Sequence, residues 1–115
     1  MNYNLEERTK TFSKSIIRFL KTIGKEDINR NIISQLIRSA TSVGANYCEA
    51  NGASSKKDFK NKIYICRKEI QETKYWIEMM AESNPESIRE LRRLWQEAHE
   101  LTLIFSKISG SFKSN

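Results

Sequence analysis

Seven residues constrain this chain more than any others: Phe59, Ile63, Cys66, Ile70, Thr73, Ile77 and Met80, whose spacings alternate four and three without interruption. That is a heptad seam, and it predicts one long helix over about residues 56–82 that needs partner helices at shallow crossing angles. Tyr64, Ile65, Trp76 and Met79 lie off the seam. They make the helix apolar on a second side, as for a helix that packs on two neighbours or takes part in a subunit interface. Ser55-Lys56-Lys57-Asp58 in front of it resembles a capping box with Asp in the usual Glu position.

The rest of the chain supplies the partners. Leu5, Phe12, Ile16, Phe19, Leu20 and Ile23 form one apolar stripe and predict a first helix over about 5–23, closed by Gly24. Ile32, Ile33, Leu36, Ile37, Ala40, Val43 and Tyr47 predict a second over about 28–50, with Asp27 as its N-cap and Gly52 offering a left-handed stop. Within it, large apolar residues give way to Ser39, Ala40, Ser42, Gly44 and Ala45, a change that lets another backbone approach or lines a polar seam. Asn84-Pro85-Glu86 is a helix start, with Asn84 able to cap. Ile88, Leu91, Leu94, Trp95, Ala98, Leu101, Phe105 and Ile108 then predict a fourth helix over about 85–109 that stops at Gly110, ahead of a frayed tail, Ser111–Asn115. With only four glycines and one proline there is too little punctuation for an all-β or α/β chain. The expected architecture is all-α: one domain over residues 1–115, an antiparallel up-and-down four-helix bundle with short links.

Catalysis is not expected. His99 is the sole histidine, and the HELT that begins with it lacks the second His of a zinc-protease helix. Di-iron bundles need Glu-x-x-His on two helices, which one histidine cannot supply. His99 reads as a partly exposed helix residue. Cys48 and Cys66 belong to no CxxC or Cys/His cluster and read as buried free thiols. No cofactor or metal is expected. The amino-terminal segment lacks the apolar core of a signal peptide and no run reaches membrane-spanning length, so the expected location is the cytoplasm, without a membrane partner.

The formal charge of +6 favours anionic partners, RNA, DNA or anionic lipid, and is equally compatible with simple solubility. Lys14, Arg18 and Lys21 lie on the first helix, Lys56, Lys57 and Lys60 at the start of the third, and Arg89, Arg92 and Arg93 on the fourth. Lysines at a helix N-terminus oppose the macrodipole, so helix stability does not explain Lys56 and Lys57. Together these nine cations could track a phosphate backbone without reading bases, or form a solvated face. Tyr3, Tyr47, Tyr64, Tyr75, Trp76 and Trp95 could stack bases, although their helical spacing favours core or interface packing.

The second helix and the start of the third also carry a resemblance. Gln35, Leu36, Arg38, Ala40, Ser42, Val43, Asn46 and Glu49, followed by Lys57, Asp58 and Phe59, resemble the signature of the "four helix bundle protein" family, also called the 23S ribosomal RNA intervening sequence protein family and sometimes labelled a ribosomal protein. The sequence departs from that pattern at Tyr47-Cys48, at Ala50 and at Cys66-Arg67-Lys68. The resemblance implies a homopentameric barrel of four-helix protomers. It also implies kinship with the accessory variability determinant proteins of diversity-generating retroelements, basic pentamers that bind a reverse transcriptase and nucleic acid. On that footing Arg38, Ser42, Asn46 and Glu49 read as a polar assembly seam, with Glu49 accepting from a cation of the third helix or of a neighbouring protomer and Asn46 bonding there too. Two functions follow as expectations: a basic oligomeric scaffold that binds nucleic acid, with a reverse transcriptase or other protein as a further partner, or a protein-interaction scaffold with no nucleic-acid role.

Overall fold

The structure is a computed structural model that describes residues 4–112. Tyr3 and residues 113–115 of the expected frayed tail lie outside the described residues. Four helices account for nearly all of the rest: α1 (Leu5–Leu20), α2 (Asp27–Asn51), α3 (Lys56–Ser83) and α4 (Ile88–Gly110), the last entered through a single tight turn at Pro85–Ser87.

Each helix runs against its neighbours. Down the α1/α2 pair Ser13 meets Ala40 while Thr9 meets Gly44, and down α3/α4 Arg67 meets Ser109 while Lys74 meets His99. Arg8 reaches Glu97 and Glu100, which brings α4 back beside α1. The result is an up-and-down bundle about 48 Å long and 22 Å wide. Its four walls are unequal: α2 packs most extensively on α3, α3 next on α4, and α1 touches α4 least.

The heptad residues of α3 are buried from Ile63 to Met80, and only Phe59, at the open end, is half-buried. Opposite them sit Phe12 and Ile16 of α1, Leu36 and Val43 of α2, and Leu91, Leu101 and Phe105 of α4. Fully burying side chains of this size stabilises the fold by about 1.5–3 kcal/mol each.

The small residues of α2 serve two walls at once. Ser39 faces α3, where Thr73 Oγ1 donates to Ser39 Oγ at 3.0 Å. One turn on, the Cys66 thiol donates to the Val43 carbonyl at 3.5 Å. On the other flank Ser13 Oγ donates to the Ala40 carbonyl at 3.2 Å, and a Cβ placed on Gly44 would lie 3.4 Å from Thr9 Oγ1. Backbone carbonyls within reach of a neighbouring helix's side chains require short side chains between the two axes, and this stretch supplies them.

Several local expectations give way. α1 ends at Leu20, and Gly24 adopts no left-handed conformation; no described glycine has a positive φ. Gly52 closes α2 at φ −98° because its N–H reaches back to the Cys48 and Glu49 carbonyls, which needs no left-handed turn. Asp27 lies inside the first turn of α2, and no side chain caps that helix. Asn84 caps no N-terminus: its buried amide pairs with Asn29, the Nδ2 of each donating to the Oδ1 of the other at 2.9 and 3.1 Å, while its backbone N–H and its Nδ2 donate to the Met80 carbonyl and so close the end of α3. Asn29 also donates to the Gly24 carbonyl and to Glu26, and accepts from Ser83 Oγ, so the α1–α2 link is bolted to the end of α3. Ser55 does cap α3, accepting from Asp58 N at 3.0 Å. Cys66 is buried as expected, whereas Cys48 is exposed, because it lies on the outer flank of α2 with Thr41 and Ala45. No helix among the described residues is long and apolar enough to cross a membrane.

Candidate nucleic-acid interface

The cations divide by employment. Arg8 is held by the carboxylates of α4: its Nε and Nη2 donate to Glu97 at 2.8 and 2.9 Å, and Nη2 also to Glu100 at 2.7 Å. These bonds, those to Glu97 foremost, raise the guanidinium's affinity for its proton above the ordinary arginine value. Arg38 bridges to Glu69 at 3.2 Å and to Glu72, whose carboxylate also accepts from Trp76 Nε1. Lys62 reaches Glu49 at 2.7 Å, and hydrogen bonding to that carboxylate lifts its pKa. Lys74 lies against His99 Nδ1 at 3.0 Å and over the Trp95 ring, whose indole N–H goes to Glu78. His99 is half-buried and stacked on Trp95, 5.0 Å between centroids.

The nine cations named from sequence stand apart from this. Among the described residues, none of Lys14, Arg18, Lys21, Lys56, Lys57, Lys60, Arg89, Arg92 or Arg93 forms an ion pair. Lys60 is half-exposed and the other eight are exposed. They do not form one patch. Arg18 and Arg93 open onto a groove of about 500 Å³ between α1 and α4, floored by Phe12, Phe19 and Leu94 and sharing its rim with Glu90 and Glu97. Arg92 faces the other flank of α4, beside Trp95 and Glu78, and Lys14 borders the α1/α2 flank beside Cys48. Lys56, Lys57 and Lys60 lie at the opposite end of the bundle, where α2 hands over to α3.

That second end holds an open depression of about 500 Å³ lined by Asn51, Ser54, Lys56, Phe59, Lys60 and Phe112, among others. Phe112, expected in a frayed tail, packs edge-on against both Phe59 (6.2 Å) and Tyr64 (5.7 Å), with Lys60 Nζ 5.5 Å from its ring centre. The signal for it is in the sequence: Phe105, Ile108 and Phe112 continue the α4 stripe at spacings of three and four. Of the other aromatic residues, Tyr47 is edge-on to the buried Phe105, and desolvation raises its pKa. Trp76 and Trp95 are half-buried and spend their N–H groups on glutamates.

The polar seam is only partly interhelical. Arg38 and Glu49 both reach α3, but Asn46 stays within α2, donating to the Ser42 carbonyl at 2.8 Å. An asparagine that finds a carbonyl one turn back has no need of a second helix.

Comparison with known proteins agrees on one family. The family described as 23S rRNA-intervening sequence protein matches residues 2–107. Among solved structures, a protein of unknown function from the S23 ribosomal protein family of Bacteroides thetaiotaomicron is 27% identical, with a TM-score of 0.78 over 90% of this chain and 96% of that one. No curated protein matches.

Proposed function

Because the chain belongs to the 23S rRNA-intervening sequence protein family, we propose that it is a non-catalytic, basic scaffold of the cytoplasm that holds nucleic acid by its phosphates. The observation that carries this reading is the division of the cations. Arg8, Arg38 and Lys62 are taken up by carboxylates of neighbouring helices, while the nine lysines and arginines named from sequence, eight on α1, α3 and α4 and Lys21 just past the end of α1, form no ion pair among the described residues. Exposed cations on two ends and several flanks suit an extended polyanion that wraps the particle, and supply no fork of donors fixed by neighbours for reading base edges.

The same reading takes the protomer into a homopentameric barrel. Five copies of a +6 chain concentrate enough charge for binding to fall steeply with salt. Kinship with retroelement accessory proteins would add a reverse transcriptase as protein partner. Fluorescence anisotropy with labelled RNA and DNA between about 50 and 200 mM salt tests the core of the proposal. Affinity should drop by at least tenfold over that range, and again when Arg18, Lys56, Lys57 and Arg93 are changed to Glu. Absence of binding at the lowest salt refutes it. Light scattering separates a 13.5 kDa protomer from its pentamer.

A second reading, a scaffold for a polypeptide only, is favoured by the exposed side chains Tyr75 and Leu103, each more than half accessible. It requires partner capture to survive the charge reversals unchanged.

A further inference from the structure

We propose that the corner between α2 and α3, closed by the end of α4, is a stacking site for an unpaired nucleotide of a single-stranded nucleic acid. The inference rests on the nucleic-acid reading and adds a place and a mode to it.

Three features coincide there and nowhere else among the described residues. The first is space: a depression of about 500 Å³ that stands open to solvent. The second is an aromatic run. Phe59, Phe112 and Tyr64 meet edge-on in sequence, and Tyr64 is 43% exposed with no hydrogen bond from its hydroxyl among the described residues. The third is charge without an ion-pair partner, although Lys60 already lies over the Phe112 ring. Lys56 and Lys60 line the depression, Lys57 stands beside them, and Lys68 lies one turn beyond Tyr64, each free of ion pairs among the described residues. Cations along one edge of α3 flank one exposed ring, Tyr64, and two half-buried ones, Phe59 and Phe112, the two halves of single-strand binding: ammonium groups follow the phosphates, and ring faces take the bases.

The rings select the occupant. In a duplex both faces of each base are covered by its neighbours, so a protein ring gains nothing; an unpaired base has a face to offer. An acidic peptide would satisfy the lysines and leave the exposed part of the Tyr64 ring uncovered. The α1/α4 groove has the same volume, but its arginines share the rim with two glutamates and its aromatic floor, Phe12 and Phe19, is buried.

The test compares labelled oligo(U), oligo(dT) and a duplex RNA of about 12 nucleotides at low salt. The proteins are the full chain and its Phe112→Leu, Tyr64→Ser and Lys56→Gln/Lys60→Gln variants. The single strands should bind more tightly than the duplex. Phe112→Leu should weaken them by about fivefold or more and leave the duplex unchanged, while the lysine pair should weaken all three probes. Tyr64→Ser, at an exposed site, reads the same contrast should Phe112→Leu disturb the fold. Equal binding of single strand and duplex, unmoved by either aromatic change, overturns the stacking site and leaves phosphate binding standing. Failure of every probe to bind overturns both. Displacement of oligo(U) by polyglutamate as readily as by unlabelled oligo(U) overturns the stacking site in favour of an acidic polypeptide.

Discussion

Replacing Asn29 by Ala should be among the most damaging single changes in this protein. The side chain is 4% exposed and its amide is shared between the Gly24 carbonyl, Glu26, Ser83 and Asn84. A hydrogen bond contributes a net of about 1 kcal/mol, and a buried polar atom left without a partner costs about 1–3 kcal/mol. Alanine removes the donor to Asn84 Oδ1, the acceptor for Ser83 and Asn84, and the tie to the α1–α2 link. Asn84 Nδ2 retains the Met80 carbonyl at 3.2 Å, which limits the damage on that side. The expected loss is about 3 kcal/mol, a large share of the 5–15 kcal/mol typical of a whole domain, and a drop in Tm of roughly 10 °C. Urea unfolding followed by the fluorescence of Trp76 and Trp95 measures it. Asn84→Ala and the double variant complete a cycle, in which the pair should couple by about 1–2 kcal/mol. A loss below about 0.5 kcal/mol, or strict additivity, would refute the claim that the two amides form one bolt.

Thiol chemistry distinguishes the two cysteines: a disulfide-exchange reagent at pH 8 should titrate one thiol per folded chain, Cys48, and two in denaturant. Burial pushes the Cys66 thiol up to about 12. The unfolded thiol loses its proton first, so Cys66 should cost stability progressively as pH rises through about 9 toward 12, a decline that Cys66→Ala removes. Gly44→Ala should raise stability by up to about 1 kcal/mol, since the new Cβ meets Thr9 at ordinary contact distance and alanine favours the helix; a fall in Tm would mean that the α1/α2 approach tolerates no methyl. Arg8→Ala should cost about 1 kcal/mol, because the clamp is partly solvated, and should speed hydrogen exchange along α1 more than along α3.

What could be read from sequence was whatever repeats along a helix. The α3 seam follows from spacing alone because a period of three and four leaves one side of a helix to be covered, and Ile63 through Met80 are covered. The Ser55 cap was equally legible, since its partner lies three residues away. Single residues whose role depends on a distant partner were not. Asn84 carries the local marks of an N-cap, but it closes the end of α3 and meets Asn29, 55 residues away. Nothing near Arg8 in the sequence points to its partners, because only the docking of α4 brings Glu97 and Glu100 to it. Cys48 read as a buried free thiol because it belongs to no CxxC or Cys/His cluster, whereas the flank it occupies follows from where α1 and α3 settle on α2. For the candidate interface, the cations were identifiable one by one, but their distribution over two ends and several flanks depends on helix rotation. Phe112 joins them only through the docking of the end of α4 against α3.

The unequal walls of the bundle set an order of opening. α1 has 16 residues and is fastened on its α4 side by little more than one arginine. A helix of that length is marginal in water by itself, so α1 cannot swing away and remain a helix: leaving the bundle and unravelling are one event. What remains, α2, α3 and α4, keeps the two best-packed walls. Partial opening of this molecule is therefore a discrete step that exposes Phe12, Ile16 and Phe19 together with the surface they cover. The amides of α1 should report it as a single cooperative unit, exchanging ahead of the other three helices.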